Sequence, residues 1–83
     1  MKQENLDPEV TKAIFTFYKN IKRLRESNGL TTKQMAEIID ISEKRLLMAE
    51  AFMGIGHFYD FHLKNICVYF NVSADELFTE NEN

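Results

Sequence analysis

GLTTKQMAEIIDISEKRLLMAE, residues 29–50, carries the pattern on which the fold turns. Thr31-x-x-Gln34 is a capping box, in which the threonine hydroxyl takes an early backbone N–H and the glutamine returns to the cap's own N–H. It predicts a short helix with Met35, Ala36 and Ile39 on one face. Asp40 interrupts that pattern, and Ser42 supplies a second N-cap, for a helix through Leu46 and Ala49 to about Phe52. Two short helices separated by three residues have the length and register of a helix-turn-helix. The first turn position needs a residue that tolerates the left-handed region, which aspartate does less comfortably than glycine. Ala36 falls where the two helices would cross, a place for a small side chain.

Outward from this stretch the helical signals continue. Asp7-Pro8 reads as an N-cap with proline at the first helical position. Val10, Ile14, Phe17, Ile21 and Leu24 then recur every three or four residues, and Gly29 can take the left-handed position after the helix ends near Asn28. Phe15 and Tyr18 lie off that stripe; they would cover a core edge or form a dimer contact, and spacing leaves both open. Downstream, residues 53–57 with Gly54 and Gly56 should be a loop. Leu63, Ile66, Cys67 and Phe70 form a fourth stripe closed by Asn71, and Ser73-x-x-Glu76 opens a last helix with Leu77 and Phe78 inward. No strand alternation and no repeat interrupts these five helices.

Eighty-three residues can hold one small core, so residues 1–83 read as a single domain. A single cysteine excludes an internal disulfide framework and a multi-cysteine zinc site. No apolar run is long enough to span a bilayer, and the first ten residues are too polar for a signal peptide, so the expected compartment is the cytoplasm. The net charge of −3 is unevenly placed. Residues 1–9 carry −2 and residues 75–83 carry −4, whereas residues 10–74 carry +3, with Lys19, Lys22, Arg23 and Arg25 close together.

Taken together, Leu24-Arg25, Gly29-Leu30-Thr31, Met35-Ala36-Glu37-Ile38-Ile39, Ile41-Ser42, Leu46, Glu50 and Phe70-Asn71-Val72-Ser73-Ala74-Asp75-Glu76-Leu77-Phe78 resemble the XRE/Cro-like helix-turn-helix regulators of bacteria and their phages. The resemblance covers about residues 20–79, leaving 8–19 as an extension of the first helix and 80–83 as an acidic tail expected to fray. It implies an all-α, five-helix, lambda-repressor-like DNA-binding domain that acts as a homodimer on operator DNA and regulates transcription. It also implies roles for individual residues. Glu43, Lys44, Arg45, Leu47 and Met48 match outward positions of a recognition helix spanning about 43–52. Thr32, beside Lys33, and Ser42 match the places that seat the unit on the DNA backbone, with Lys44 and Arg45 as the main base or phosphate contacts. Arg25 and Glu50 match a buried ion pair between the first and third helices.

The sequence departs from that pattern on the very face that would read DNA. Leu47 and Met48, with Phe52 and Met53 just beyond, are poor in hydrogen bonds to base edges, although an aliphatic group can touch a thymine methyl. Thr32 replaces the usual glutamine, Asp40 the turn glycine, and Ala49 a common aromatic. A rival reading is therefore a protein-interaction module, antirepressor-like, with a partner held through Leu47, Met48 and Met53. Against this, Phe52 and Met53 would instead fold back onto the fourth helix. Lys19, Lys22 and Arg23 would flank a DNA backbone or simply face solvent, and Tyr59 and His62 are further backbone candidates.

Catalysis finds no foothold, and the chain is not read as an enzyme. His57-x-x-Asp60-x-His62 has metal-ligand types, but histidines five apart point to different helix faces, so no metal and no cofactor are expected. Cys67 lies on an inward stripe as a small hydrophobe, and Gly54-Ile55-Gly56 lacks the third glycine and preceding strand of a dinucleotide loop.

Overall fold

In the computed structural model, which describes residues 7–80, Asp7 begins the first helix by accepting the Glu9 amide at 2.8 Å, with Pro8 behind it at the first helical position. Five helices follow: α1 Pro8–Ser27, α2 Thr32–Ile39, α3 Glu43–Glu50, α4 Asp60–Phe70 and α5 Ala74–Leu77. The described residues contain no strand. Residues 81–83 of the tail expected to fray lie outside the described residues, and Glu80 approaches Lys12 Nζ to 3.7 Å.

The ends of the helices are closed by local chemistry. After α1, Gly29 adopts φ +66°, its amide reaches the Glu26 carbonyl, and the Leu30 amide reaches the Arg25 carbonyl at 3.0 Å. These are the two hydrogen bonds of a Schellman closure, and the space where a Cβ would sit is open, so only the backbone angle favours glycine there. α2 carries the full capping box, with Gln34 N to Thr31 Oγ1 at 3.0 Å and Thr31 N to Gln34 Oε1 at 2.9 Å. It ends on Asp40 in the left-handed region at φ 69°, where both the Asp40 and Ile41 amides converge on the Ala36 carbonyl. α5 repeats the box with Ser73 and Glu76.

One boundary and one side-chain orientation differ from expectation. α3 stops at Glu50 rather than near Phe52. The Phe52 and Met53 amides return to the Ala49 and Met48 carbonyls, which is again a Schellman closure, but with phenylalanine at φ 58° where glycine is usual. A left-handed phenylalanine costs about 1–2 kcal/mol, and here the turn swings its ring onto Phe15 of α1, edge-on at 5.4 Å. Phe52 therefore folds back on α1, not on α4, and remains 44% exposed. Phe78 is likewise not inward: a single-turn helix can bury one apolar residue, and that is Leu77, while Phe78 lies flat against Phe17 at 4.9 Å.

The core joins Phe17, Tyr18 and Ile21 of α1 with Met35, Ala36 and Ile39 of α2, Leu46 and Ala49 of α3, Ile66 of α4 and Leu77 of α5. The buried face of α1 keeps Ile14, Phe17, Ile21 and Leu24 of the expected stripe against the core and is widened by Thr16, Tyr18 and Asn20. Val10 is exposed because a 20-residue helix, about 30 Å long, outruns partners of 4–11 residues. Tyr18 is fully covered within the chain, which removes it as a dimer contact. Its hydroxyl is buried without a hydrogen-bond partner, and burial raises its pKa above 10.0, offset in part by the nearby His57 backbone. Asn20, absent from the sequence reading, is also buried; its side-chain amide donates to the Leu77 and Thr79 carbonyls at 2.7 and 3.0 Å and so fastens α5 to α1.

Arg25 fastens α1 to α3. Its Nε and Nη2 donate to the two carboxylate oxygens of Glu50 at 2.7 and 2.9 Å, and Nη1 donates to the Leu30 carbonyl at 3.0 Å. The side chains are only 15% and 9% exposed. The Glu50 hydrogen bonds raise the Arg25 pKa further above the usual guanidinium range, against the opposing effect of burial. Removing one partner strands a charge in a mostly dry place. Glu50→Leu should therefore lower unfolding free energy by about 3 kcal/mol in urea titrations. The double variant Arg25→Met/Glu50→Leu should be the more stable of the two; equal or greater loss in the double would show that the pair's attraction outweighs its desolvation.

Candidate nucleic-acid interface

The first turns of α2 and α3 lie side by side. Thr32 Oγ1 donates to Glu43 Oε2 at 2.6 Å, joining the starts of the two helices. Ser42 caps α3 by accepting the Arg45 amide at 3.2 Å, and it remains exposed. Around them Lys33 and Lys44 are exposed. Leu47 is 48% exposed, Met48 is half-buried, and both line a shallow open depression with Glu43, Lys44 and Met53. The outward chemistry of α3 is thus one carboxylate, one ammonium and an apolar strip.

Arg45 departs from its expected outward position. One guanidinium nitrogen donates to the His57 carbonyl at 2.6 Å, and the group lies 5.3 Å from the centre of the Tyr59 ring. His57 Nε2 in turn meets the Met53 carbonyl at 2.7 Å. Hydrogen bonding and the cation–π contact hold Arg45 against the loop after α3, so it braces residues 53–59 rather than facing a partner. The length of an arginine stem permits this: from α3 the group can reach across to a carbonyl that no helix has satisfied. Thr32 is also engaged, because its hydroxyl already serves the Glu43 carboxylate.

The remaining backbone candidates separate. Lys19 and Lys22 are exposed on α1 and Arg23 is partly covered. Tyr59 is 59% exposed, but His62 is 2% exposed and is no surface contact. His62 Nδ1 accepts the Tyr59 amide at 2.8 Å, half of a capping box for α4, which leaves the ring proton on Nε2. Asn65, one turn on, donates to the Ile39 carbonyl at 2.8 Å and so ties α4 to the end of α2. Asn65 was missed as a structural group because its partner lies on another helix, and His62 because a histidine at the third position is an unusual member of a capping box. Among the described residues no group of three His, Cys, Asp or Glu is placed to hold a metal ion, and His57, Asp60 and His62 do not converge. No described helix is long and apolar enough to cross a membrane. Cys67 is half-buried and unpaired.

No protein-family model, no curated protein and no solved structure matches the chain.

His62 makes the α4 start sensitive to acid. Burial, and then the Arg45 charge, hold its pKa below 6.5, while the Asp40 carbonyl and carboxylate pull it upward. The unfolded chain therefore takes up a proton before the folded one does. Stability associated with neutral His62 is complete above about pH 6.5 and declines as the pH falls below it. The urea midpoint should drop between about pH 7.5 and 5.5, and His62→Gln, which can still accept the Tyr59 amide, should show a smaller drop. An identical pH dependence in that variant would remove His62 as the cause.

Proposed function

We propose that the chain is a DNA-binding regulator of transcription in which α2 and α3 act as a helix-turn-helix. The observation that carries this reading is the joint between them. Asp40 sits in the left-handed region, Ala36 is buried in the core, Ser42 caps α3, and Glu43, Lys44 and Leu47 are exposed on the outer face of α3. A lambda-repressor-like five-helix domain has this arrangement, and in it the exposed side of the second helix enters the major groove. The cytoplasm is the compartment that fits such a role.

Contacts are assigned by exposure. Lys33 and Lys44 supply the positive charge nearest the two helix starts, with Ser42 exposed between them as a hydroxyl donor. Lys19 and Lys22 are secondary phosphate contacts. Leu47 and Met48 supply apolar contact in the groove, where thymine methyl groups are the complementary feature. Arg45 acts indirectly by bracing the loop behind α3.

A second reading rests on one specific observation. Leu47 and Met53 are 48% and 57% exposed beside Met48, an apolar surface suited to a protein partner. On that reading α3 docks onto protein, and Met48→Glu breaks the complex.

Titration into mixed-sequence labelled duplex separates the two. DNA binding predicts a measurable anisotropy change at about 50 mM salt, with log affinity falling roughly two to four units per decade of salt for that many phosphate contacts. Lys33→Glu/Lys44→Glu should lower affinity by about 100-fold and reduce the slope while leaving the fold intact. Absence of binding at that salt overturns the DNA reading and leaves the protein-partner one.

A further inference from the structure

Between α1, the loop over residues 56–59 and the start of α4 lies a cleft of about 240 Å³. Phe17 and Tyr18, both buried, form its base with half-covered Phe58, while Tyr59, Asp60 and Phe78 stand exposed at its mouth. Phe58 meets Phe17 edge-on at 5.1 Å and Phe78 lies flat on Phe17 at 4.9 Å, so the wall offers ring edges as well as ring faces. A further aromatic ring is complementary to both. An apolar cavity of about 150 Å³ holds benzene, so this larger volume takes a six-membered ring with a short side chain.

Two polar groups in that wall lack partners. The Tyr18 hydroxyl is buried with no hydrogen bond, and it lies beside the His57 backbone, between Gly56 and Phe58, which both line the cleft. Asp60 is the one charged residue of the wall, and among the described residues its carboxylate makes no ion pair. Arg45 does not line the cleft; its guanidinium is held by the His57 carbonyl and the Tyr59 ring. The unpaired groups are thus a hydroxyl at the base and a negative charge at the mouth.

We infer that this cleft binds a small aromatic amine whose ring carries a hydroxyl. The ring lies on Phe17 and Phe58, with its hydroxyl turned inward to the Tyr18 hydroxyl and its ammonium outward to the Asp60 carboxylate. A hydroxyl both donates and accepts, so it pairs with the Tyr18 hydroxyl whichever way that group turns. An acid of the same shape would instead bring like charge against Asp60. Neither DNA nor the outer face of α3 enters the inference, which stands apart from the functional reading above.

Tyramine is the probe that carries both groups. Titrated into the isotope-labelled full chain at neutral pH, it should move the amide resonances of Gly56, Phe58 and Asp60 along one saturable curve and leave those of Lys44 and Leu47 in place. The dissociation constant should lie between about 10 μM and 1 mM, as suits a ligand of this size in a cleft open on one side. Phenylethylamine, which lacks the hydroxyl, should bind about 3- to 10-fold more weakly, the worth of one neutral hydrogen bond. That difference should vanish in Tyr18→Phe, a chain that should be no less stable to heat than the wild type, because the hydroxyl it loses has no partner. Hydroxyphenylpropionate, which keeps the ring hydroxyl and reverses the charge, should bind at least about fivefold more weakly than tyramine, and Asp60→Asn should shrink that gap. Absence of a saturable shift by about 5 mM tyramine overturns the inference. So does equal affinity for tyramine and either comparison ligand, or a hydroxyl difference that persists in Tyr18→Phe. Both ligand comparisons use the wild-type chain, so they decide the matter even where a variant fails to fold.

Discussion

The three-pronged grip of Arg25 is the constraint from which the arrangement of the other helices follows. Its guanidinium spends three of its nitrogens on two separate segments: Nε and Nη2 on the Glu50 carboxylate at the end of α3, and Nη1 on the Leu30 carbonyl just after α1. α1, the turn into α2 and the end of α3 are thus fixed to one planar group. A lysine would supply the charge without the planar geometry. Once α3 is held at its last turn by Glu50 on Arg25 and at its first by Glu43 on Thr32, its rotation about its own axis is settled. Leu46 and Ala49 then face the core and Lys44 and Leu47 face away. The brace is costly in desolvation, so its benefit lies in orientation more than in net stability.

Around that brace, three non-glycine residues take left-handed backbone angles: Asp40, Phe52 and Asn71, with φ of 69°, 58° and 57°. Aspartate and asparagine tolerate the region; phenylalanine does not. Asp40 and Asn71 end α2 and α4, and each is steadied by bonds from the following amide to a carbonyl in the preceding turn. Phe52 is different in kind. Its strain is offset by a ring contact with Phe15, and the loop it begins is further held by Arg45, His57 and Tyr59. The segment behind α3 is therefore built from side-chain contacts rather than from regular backbone hydrogen bonding. Such a segment belongs to the less stable part of a fold.

What could be read in the sequence was local. Capping boxes at Thr31 and Ser73, the Asp7-Pro8 start and the Gly29 stop each involve residues within four of one another, and each sets a helix boundary in the structure. Where the determining partner lay elsewhere in the chain, the pattern was silent. Tyr18, Asn20 and His62 are buried because other helices close over them, and Arg45 turns to a carbonyl twelve residues away. The end of α3 was misplaced because its closure uses phenylalanine in a role whose usual signal is glycine. The α3 face shows the same division. Exposure of Lys44 and Leu47 follows from helical period alone, whereas the engagement of Thr32 by Glu43 spans eleven residues and needed the turn's geometry.

Several carboxylates of the chain are engaged within the fold, which bears on the proposed DNA contact. Asp7 and Glu76 are committed to helix caps, Glu50 to Arg25 and Glu43 to Thr32. Arg25 and Arg45 are likewise committed to contacts within the fold. The cations left in solvent on α1, α2 and α3 include Lys19, Lys22, Lys33 and Lys44. Lysine acts as a point charge and attracts phosphate without the bidentate geometry that distinguishes guanine in the major groove. On the DNA-binding reading, attraction to the backbone is therefore separated from discrimination among bases. Discrimination falls to Leu47 and Met48, whose complement is the thymine methyl. Sites rich in A·T pairs follow as the preferred class, with a modest ratio of specific to non-specific affinity, because apolar contact carries less directional information than a paired hydrogen bond.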